Sequence, residues 1–213
     1  MEKAVLTVFG RHESEKVIEK SRFIACSEHV ESEEEAKNFL SEIRSQHTLA
    51  THCCYAFIAD KTGNLMRFSD DGEPQGTAGM PILDVLKNKK LFETAVVVTR
   101  YFGGIKLGAG GLVRAYSGTA AEALALAEVR EYAPCKKLIF SVGYENLDAL
   151  KKYLSKEECT VQDTEYANAV RVTVAVRAER AETFLSRATD FMAGRVSAEK
   201  GEEYLFPFPL SRG

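Results

Sequence analysis

Two glycine-rich stretches constrain the fold of this chain more than any other feature. Residues 69–79 read SDDGEPQGTAG, and residues 100–116 read RYFGGIKLGAGGLVRAY. Each stretch runs from a strand-like segment into a helix-like one, and together they hold more than half of the chain's 15 glycines. Loops of this kind aim main-chain N–H groups and a helix N-terminus at one point, which favours an anion. The two stretches therefore predict a binding surface.

The segments around these loops predict strands and helices in residues 1–133. Helical spacing of apolar residues predicts helices that begin at Ser32, Gly79 and Gly111, and Ser32 with Glu35 forms a capping-box pattern. Runs of β-branched and aromatic residues predict strands. These strands are 3–9, 22–30, 53–60, 65–68 and 94–101.

A change of composition at Pro134 predicts a boundary between two domains, 1–133 and 134–213. The second part has a clear order of elements. Strands at 137–144, 160–165, 169–178 and 195–206 alternate with helices at 146–154 and 181–191. The order β-α-β-β-α-β is the ferredoxin-like, split βαβ arrangement. The predicted fold class is therefore α+β with two domains.

Composition excludes several classes of protein. The net charge is −3 and the isoelectric point is near 5.9, so a strongly basic nucleic-acid footprint is absent, although a local basic patch remains open. The longest apolar run, 53–59, is too short to cross a membrane. The N-terminal residues lack the apolar core of a signal peptide. The five cysteines show no CxxC spacing, which indicates reduced thiols in a cytoplasmic protein.

The second glycine-rich stretch supplies most candidates for binding an anion or nucleic acid. Arg114 falls in the first turn of the predicted helix, where a cation opposes the helix dipole unless an anion is near. Alternatively, Arg114 pairs with an acidic side chain of the first stretch, and the glycines only permit tight packing. The stretch matches neither the P-loop nor an orderly GxGxxG pattern. The candidate residues are Arg100, Gly103, Gly104, Lys106, Gly108, Gly110, Gly111, Arg114 and Thr77.

The first stretch is acidic, since Asp70, Asp71 and Glu73 fall within four positions. Carboxylates of this density suit either a hard cation such as Mg²⁺ or ion pairs with the second stretch. The EF-hand pattern is missing, and a turn built on Asp-Gly and Glu-Pro explains the same residues. Thr77 can cap the following helix or present its hydroxyl to a ligand, and we expect the cap.

The sequence His52-Cys53-Cys54 contains residue types found in catalytic and metal sites, but their arrangement argues against a shared metal ion. Neighbouring residues of a strand point to opposite faces, so the two thiols cannot readily chelate one ion. A zinc site needs three or four ligands, and no partner cluster is visible. A Cys–His nucleophile pair remains open. We therefore assign no catalytic residue, cofactor or metal ion, and we keep His52 as the candidate base.

The motifs in residues 20–116 resemble those of the IMPACT/YigZ family, in the same order and at the family's spacing. They include KSRFIA at 20–25, THC at 51–53, SDDGEP at 69–74 and GTAG at 76–79. They continue with PIL at 81–83, TRYFGG at 99–104, KLG at 106–108 and GGLVRAY at 110–116. The chain therefore resembles the bacterial two-domain members of this family.

The resemblance implies a first domain with the ribosomal protein S-five domain-two-like fold. It implies a second domain similar to the last domain of elongation factor G. Eukaryotic relatives act in translational control during amino-acid starvation and carry an additional domain that this chain lacks. We therefore expect a noncatalytic cytoplasmic protein that binds RNA, the ribosome or a translation-related protein. The alternative is a Mg-assisted enzyme that acts on a phosphorylated small molecule or nucleotide.

Overall fold

The computed structural model describes residues 4–210, which divide into two compact units, Val5–Arg130 and Glu131–Pro209. Both units combine strands with helices, so the chain has a two-domain α+β architecture. The boundary that the sequence suggests, 133/134, stays a prediction. Pro134 itself lies inside a long strand, Glu128–Val142, rather than in a linker.

The first unit is built on an antiparallel sheet with the strand order β2-β3-β6-β4-β5. The strands of the first unit are β1 (Val5–Phe9), β2 (His12–Ile18), β3 (Ser21–His29), β4 (His52–Ile58), β5 (Met66–Ser69) and β6 (Thr94–Tyr101). Its helices are α1 (Glu33–Gln46), α2 (Gly79–Lys89) and α3 (Gly108–Leu126). Strand β1 lies beside the segment before β6, where the Phe92 N–H donates to the Leu6 carbonyl at 2.8 Å.

Helices cover both faces of this sheet, which explains its nearly continuous apolar strands. Val96 and Val98 of β6 belong to the core that contains residues of α2 and α3. Ala95 and Val97 point the other way and pack with α1. Successive side chains of a strand alternate between faces, so β6 is buried from end to end.

The helix starts depend on local hydrogen bonds. Ser32 caps α1 as predicted, since its Oγ accepts from the Glu35 N–H at 3.1 Å. The cap that we expected from Thr77 is wrong, because the Thr77 hydroxyl donates to the Pro74 carbonyl at 2.6 Å and closes a turn. The Asp70 carboxylate takes that role from nine residues before α2 begins, and accepts from the N–H groups of Ala78 and Gly79 at 3.0 and 2.8 Å.

Strand β2 is the element that the sequence interpretation missed. Its residues, HESEKVI, alternate between half-buried and exposed positions, because β2 is an edge strand of the sheet. Four of its seven side chains are charged or imidazole groups, so the apolar alternation that identifies a strand is weak. Helix α3 also begins three residues earlier than predicted, at Gly108.

The second unit has the predicted order β-α-β-β-α-β. Its elements are β7 (Glu128–Val142), α4 (Leu147–Leu154), β8 (Thr160–Tyr166), β9 (Val170–Arg177), α5 (Ala181–Phe191) and β10 (Val196–Pro209). Strands β9 and β10 both pair with β7, and β8 pairs with β9. Leu150 of α4 and Phe184 of α5 pack against Phe140 and Val172 of the sheet. No helix within residues 4–210 is long and apolar enough to span a membrane.

The Asp70 cap gives a stability prediction. Burial alone would raise the pKa of Asp70, but the N–H groups of Gly76, Gly79 and Ala78 outweigh it and lower the pKa. We expect Asp70→Ala to reduce the free energy of unfolding at pH 7 by about 1–3 kcal/mol, because three N–H groups lose their acceptor. Urea unfolding followed by circular dichroism measures this loss.

The lowered pKa also fixes how this loss depends on pH. Asp70 stabilises the folded chain above the pKa of an unfolded aspartate, about 3.9, and this contribution disappears as the pH falls through the lower folded pKa. The difference between the wild type and Asp70→Ala should therefore shrink below about pH 4. A difference that stays constant down to pH 2 would contradict the capping role.

Candidate functional site

A buried ion pair joins the two glycine-rich loops. Arg100, near the end of β6, donates from Nη1 to Oε1 of Glu73 at 2.6 Å. The two side chains are only 5% and 4% exposed. Charges removed from water to this extent require close partners, so the pair fixes the loop 69–79 against the sheet.

Neighbouring side chains complete the environment of this pair. The Tyr116 hydroxyl of α3 donates to the same Glu73 oxygen at 2.8 Å, and Arg100 Nη2 donates to the Ser21 hydroxyl at 3.2 Å. The guanidinium lies 5.3 Å from the ring centroids of both Phe23 and Phe102. Burial is the largest cause that raises the pKa of Tyr116, so the phenol remains a neutral donor. Within residues 4–210, Arg100 Nε has no hydrogen-bond acceptor.

The remaining acidic residues of the first loop are also occupied. Asp71 accepts from Arg44 of α1 at 2.7 Å and from the Cys53 N–H at 2.6 Å. Of the ion pairs that the sequence left open between the two loops, the structure contains the pair of Glu73 with Arg100. Asp71 pairs instead with Arg44 of α1, and Arg114 forms no ion pair among the described residues. Arg44 lies 27 positions before Asp71, and no local pattern connects them.

Metal binding by Asp70, Asp71 and Glu73 is not supported by their geometry. Their carboxylates turn to different partners, namely main-chain N–H groups, Arg44 and Arg100. Within residues 4–210, the only group of three or more ligand-type side chains close enough to share an ion is His29, Glu31 and Glu93, which lies elsewhere in the unit.

His52 has a defined orientation next to Glu73. Its Nδ1 lies 2.8 Å from the Asp71 carbonyl oxygen, which can only accept, so Nδ1 carries the proton. The other nitrogen, Nε2, is 3.9 Å from Oε2 of Glu73. The ring thus directs its second nitrogen toward the buried carboxylate.

Cys53 and Cys54 lie on opposite faces of β4, as expected. Cys54 belongs to the core under α2 and α3, and Cys53 to the core under α1. Burial raises the pKa of both thiols, and the effect on Cys54 is large. A nucleophilic thiolate needs a lowered pKa, so neither residue suits that role.

A cleft with a volume of about 440 Å³ opens beside the buried pair. The side chains of Phe102, Leu107, Leu112 and Pro74 give it an apolar surface. Its full lining is Thr51, His52, Glu73, Pro74, Arg100, Phe102, Lys106, Leu107, Gly108, Ala109 and Leu112. The sequence singled out His52, Glu73, Arg100, Lys106 and Gly108 among these, and it did not predict that Pro74, Leu107 and Leu112 contribute to an apolar wall.

The first turn of α3 forms one rim of the cleft. Leu107 at the N-cap offers no side-chain acceptor, and the first turn contains no acidic residue. Lys106 and Arg114 are exposed and form no ion pair within residues 4–210. Because α3 begins at Gly108, Arg114 lies in its second turn rather than in the first. Lys106 therefore gives the rim a positive charge that no ion pair among residues 4–210 neutralises, whereas Arg114 is not among the residues that line the cleft.

The remaining candidates have other places in the fold. Gly103 is required by packing, because a Cβ atom there would lie 2.0 Å from the main chain of Lys20. Gly104 follows it in the loop, while Gly110 and Gly111 lie in the first turns of α3. The Thr77 side chain, at the end of the first loop, is buried away from solvent. A role for these residues in binding stays a prediction.

The buried pair gives a second prediction. We expect Arg100→Ala to lower the free energy of unfolding by about 3–5 kcal/mol, because Glu73 would remain buried without its counter-charge. The matched control is Arg67→Ala, whose 3.6 Å contact with Glu33 lies at the surface and should contribute less than about 1 kcal/mol. Urea unfolding of both variants tests this difference, and equal losses would contradict a structural role for Arg100.

Comparison with known proteins gives matches over most of the chain. Residues 19–124 match the model of the Impact N-terminal domain, and residues 140–195 match a domain of unknown function, DUF1949. A solved structure described as the crystal structure of a hypothetical protein has a TM-score of 0.61 at 32% identity. It covers 95% of this chain and 99% of its own.

Curated relatives carry the family name. IMPACT family member YvyE of Bacillus subtilis is 39% identical, over 92% of this chain and 90% of its own. IMPACT family member YigZ of Escherichia coli is 35% identical, over 87% of this chain and 92% of its own. Identity at this level over nearly the full length of both relatives shows that this chain belongs to the IMPACT family.

Proposed function

We propose that this protein is a noncatalytic, cytoplasmic RNA-binding protein linked to translation, with the first turn of α3 as its phosphate site. The observation that carries the proposal is the exposed Lys106 in the lining of the apolar cleft, directly before α3, with Arg114 exposed in the second turn of that helix. Lys106 and Arg114 have no counter-ion among residues 4–210, and the N–H groups of the first turn have no side-chain cap. A helix N-terminus with adjacent cations favours a phosphate group.

The apolar wall favours a nucleic acid over a simple anion. Phe102 is 48% exposed and stands beside the buried guanidinium of Arg100. An exposed ring next to a cationic rim suits stacking of an unpaired base, which contributes about 1–3 kcal/mol per base. The net charge of −3 argues against a broad electrostatic footprint, so we expect a short single-stranded segment.

The proposal also includes the finer structural analogy that the sequence motifs imply. We take the first unit to have the ribosomal protein S-five domain-two-like fold, and the second to be similar to the last domain of elongation factor G. Both analogies point to a ribosome-associated partner, either RNA or protein. Fold alone does not determine function, so the argument rests on the rim and the cleft.

Substitution of the rim cations tests the proposal. We expect Lys106→Ala/Arg114→Ala to weaken binding of a single-stranded RNA oligonucleotide at least about tenfold. It should also reduce the slope of log affinity against log salt by about 1.4, the value for two lost phosphate contacts. Fluorescence anisotropy between 50 and 200 mM salt measures both quantities.

The matched control is Lys151→Ala/Lys152→Ala, which removes two exposed charges from α4 in the other unit. It should leave the affinity and the salt slope close to those of the wild type. Equal weakening by the two double variants would show unspecific charge attraction and contradict the proposed site. Arg100 is unsuitable for this test because its side chain is structural.

The orientation of His52 supports a second candidate, an enzyme acting on a phosphorylated small molecule or nucleotide. The ring is fixed through Nδ1, its Nε2 lies 3.9 Å from Oε2 of Glu73, and both residues line the cleft, which is an arrangement that suits a general base. A thermal-shift screen separates the two candidates. An enzyme of this class should gain about 5–10 °C from its small substrate at a hundredfold excess over Kd. Under the RNA proposal, the oligonucleotide stabilises the protein more than any mononucleotide or sugar phosphate.

A further inference from the structure

Three ligand-type side chains meet at the end of the sheet that is remote from the cleft. A ring nitrogen of His29 and carboxylate oxygens of Glu31 and Glu93 all lie within 4.8 Å of one another. In the register of β3 and β6, His29 is opposite Thr94, whereas Arg22 is opposite Tyr101 beside the cleft. About 23 Å of extended strand separates the two ends.

Glu93 occupies a position where a carboxylate is costly. The residue is 3% exposed, and its Oε2 has no hydrogen-bond partner within residues 4–210. Its main chain adopts a positive φ of 47°, which a residue with a side chain rarely does. The carbonyl of Glu93 accepts from the Val30 N–H at 2.8 Å, so the backbone is held in place. The buried, unsatisfied carboxylate requires a partner that packing does not provide.

Hydrogen bonds around Thr7 determine which nitrogen of His29 faces the carboxylates. Thr7 Oγ1 donates to the Glu93 carbonyl at 3.0 Å, and it lies 2.8 Å from His29 Nδ1. A hydroxyl has one hydrogen, so when Thr7 donates it to the Glu93 carbonyl, His29 Nδ1 is the donor in the second contact. A ligating histidine is commonly fixed through its other nitrogen in this way.

The opposite nitrogen then faces an acceptor. His29 Nε2 lies 3.1 Å from Oε1 of Glu31. If the ring is neutral, both atoms carry lone pairs, and a cation between them is needed to make the contact favourable. A proton on Nε2 meets this need for Glu31, but it leaves the buried Oε2 of Glu93 unsatisfied. A metal ion bound by the three side chains also supplies the partner that Oε2 of Glu93 lacks within residues 4–210.

We propose that His29 Nε2, Glu31 and Glu93 bind a divalent transition-metal ion, with Zn²⁺ as the best match. One imidazole and two carboxylates suit Zn²⁺, whereas Mg²⁺ and Ca²⁺ prefer oxygen ligands alone. Two positive charges balance the two carboxylates. Asp60 and Lys61 also act on the Glu93 carboxyl, with opposite electrostatic effects. The ion would join the end of β3, the segment before α1 and the segment before β6.

Metal titration of the untagged full-length protein tests the proposal. After treatment with a chelator and dialysis, we expect one Zn²⁺ per chain by calorimetry. The melting temperature should rise by about 5–10 °C at a hundredfold excess over Kd. Co²⁺ as a probe should give a visible absorption band without thiolate charge transfer, which excludes binding to the five cysteines.

Two substitutions show whether these residues are the ligands. His29→Gln and Glu31→Gln should each weaken Zn²⁺ binding by more than about tenfold. The Glu31 side chain is 57% exposed, so its substitution leaves the fold intact even if a change at buried Glu93 does not. His47→Gln is the control, because His47 contacts Tyr101 near the cleft. Absence of stoichiometric binding, or binding unchanged by Glu31→Gln, would overturn the proposal.

Discussion

The buried ion pair between Arg100 and Glu73 holds together the elements that surround the cleft of the first unit. It ties the loop 69–79 to the end of β6, and Tyr116 connects it to α3. Because the pair is buried, Glu73 neutralises the charge of the guanidinium, which is not exposed to solvent. The exposed cations that remain nearby in the sequence are Lys106, which lines the cleft, and Arg114 in the second turn of α3.

The two glycine-rich loops therefore have different physical roles. The acidic loop is an internal structure: Asp70 caps α2, Asp71 holds Arg44, and Glu73 holds Arg100. The basic stretch is buried at Arg100 and packs tightly against the Lys20 main chain at Gly103, whereas Lys106 is exposed. Arg100 is neutralised by Glu73, whereas Lys106 is exposed. This arrangement favours a ligand of moderate charge that also contacts the apolar wall.

Sequence patterns predicted the elements whose signals are local. Helix α5 was predicted with its bounds, Ala181–Phe191, because its apolar residues recur at helical spacing between clear end points. Strand β2 was missed because four of its seven side chains are charged or imidazole groups. The long-range partners of Asp71 and His29 could not be predicted, since Arg44 is 27 positions before Asp71 and Glu93 is 64 positions after His29, with no local pattern that connects them. The capping role was wrongly assigned to Thr77, because Asp70, which lies outside the helix terminus, caps α2.

The two proposed sites lie at opposite ends of the same strand pair, and this arrangement has a mechanical consequence. Strands β3 and β6 carry Ser21 and Arg100 at one end and His29 and Thr94 at the other. Glu93, just before β6, contacts both Val30 and Thr7 through its carbonyl. An ion at His29 would hold the register of β3 against β6 at that end. The position of Arg100 relative to Ser21, and with it the floor of the cleft, depends on the same register.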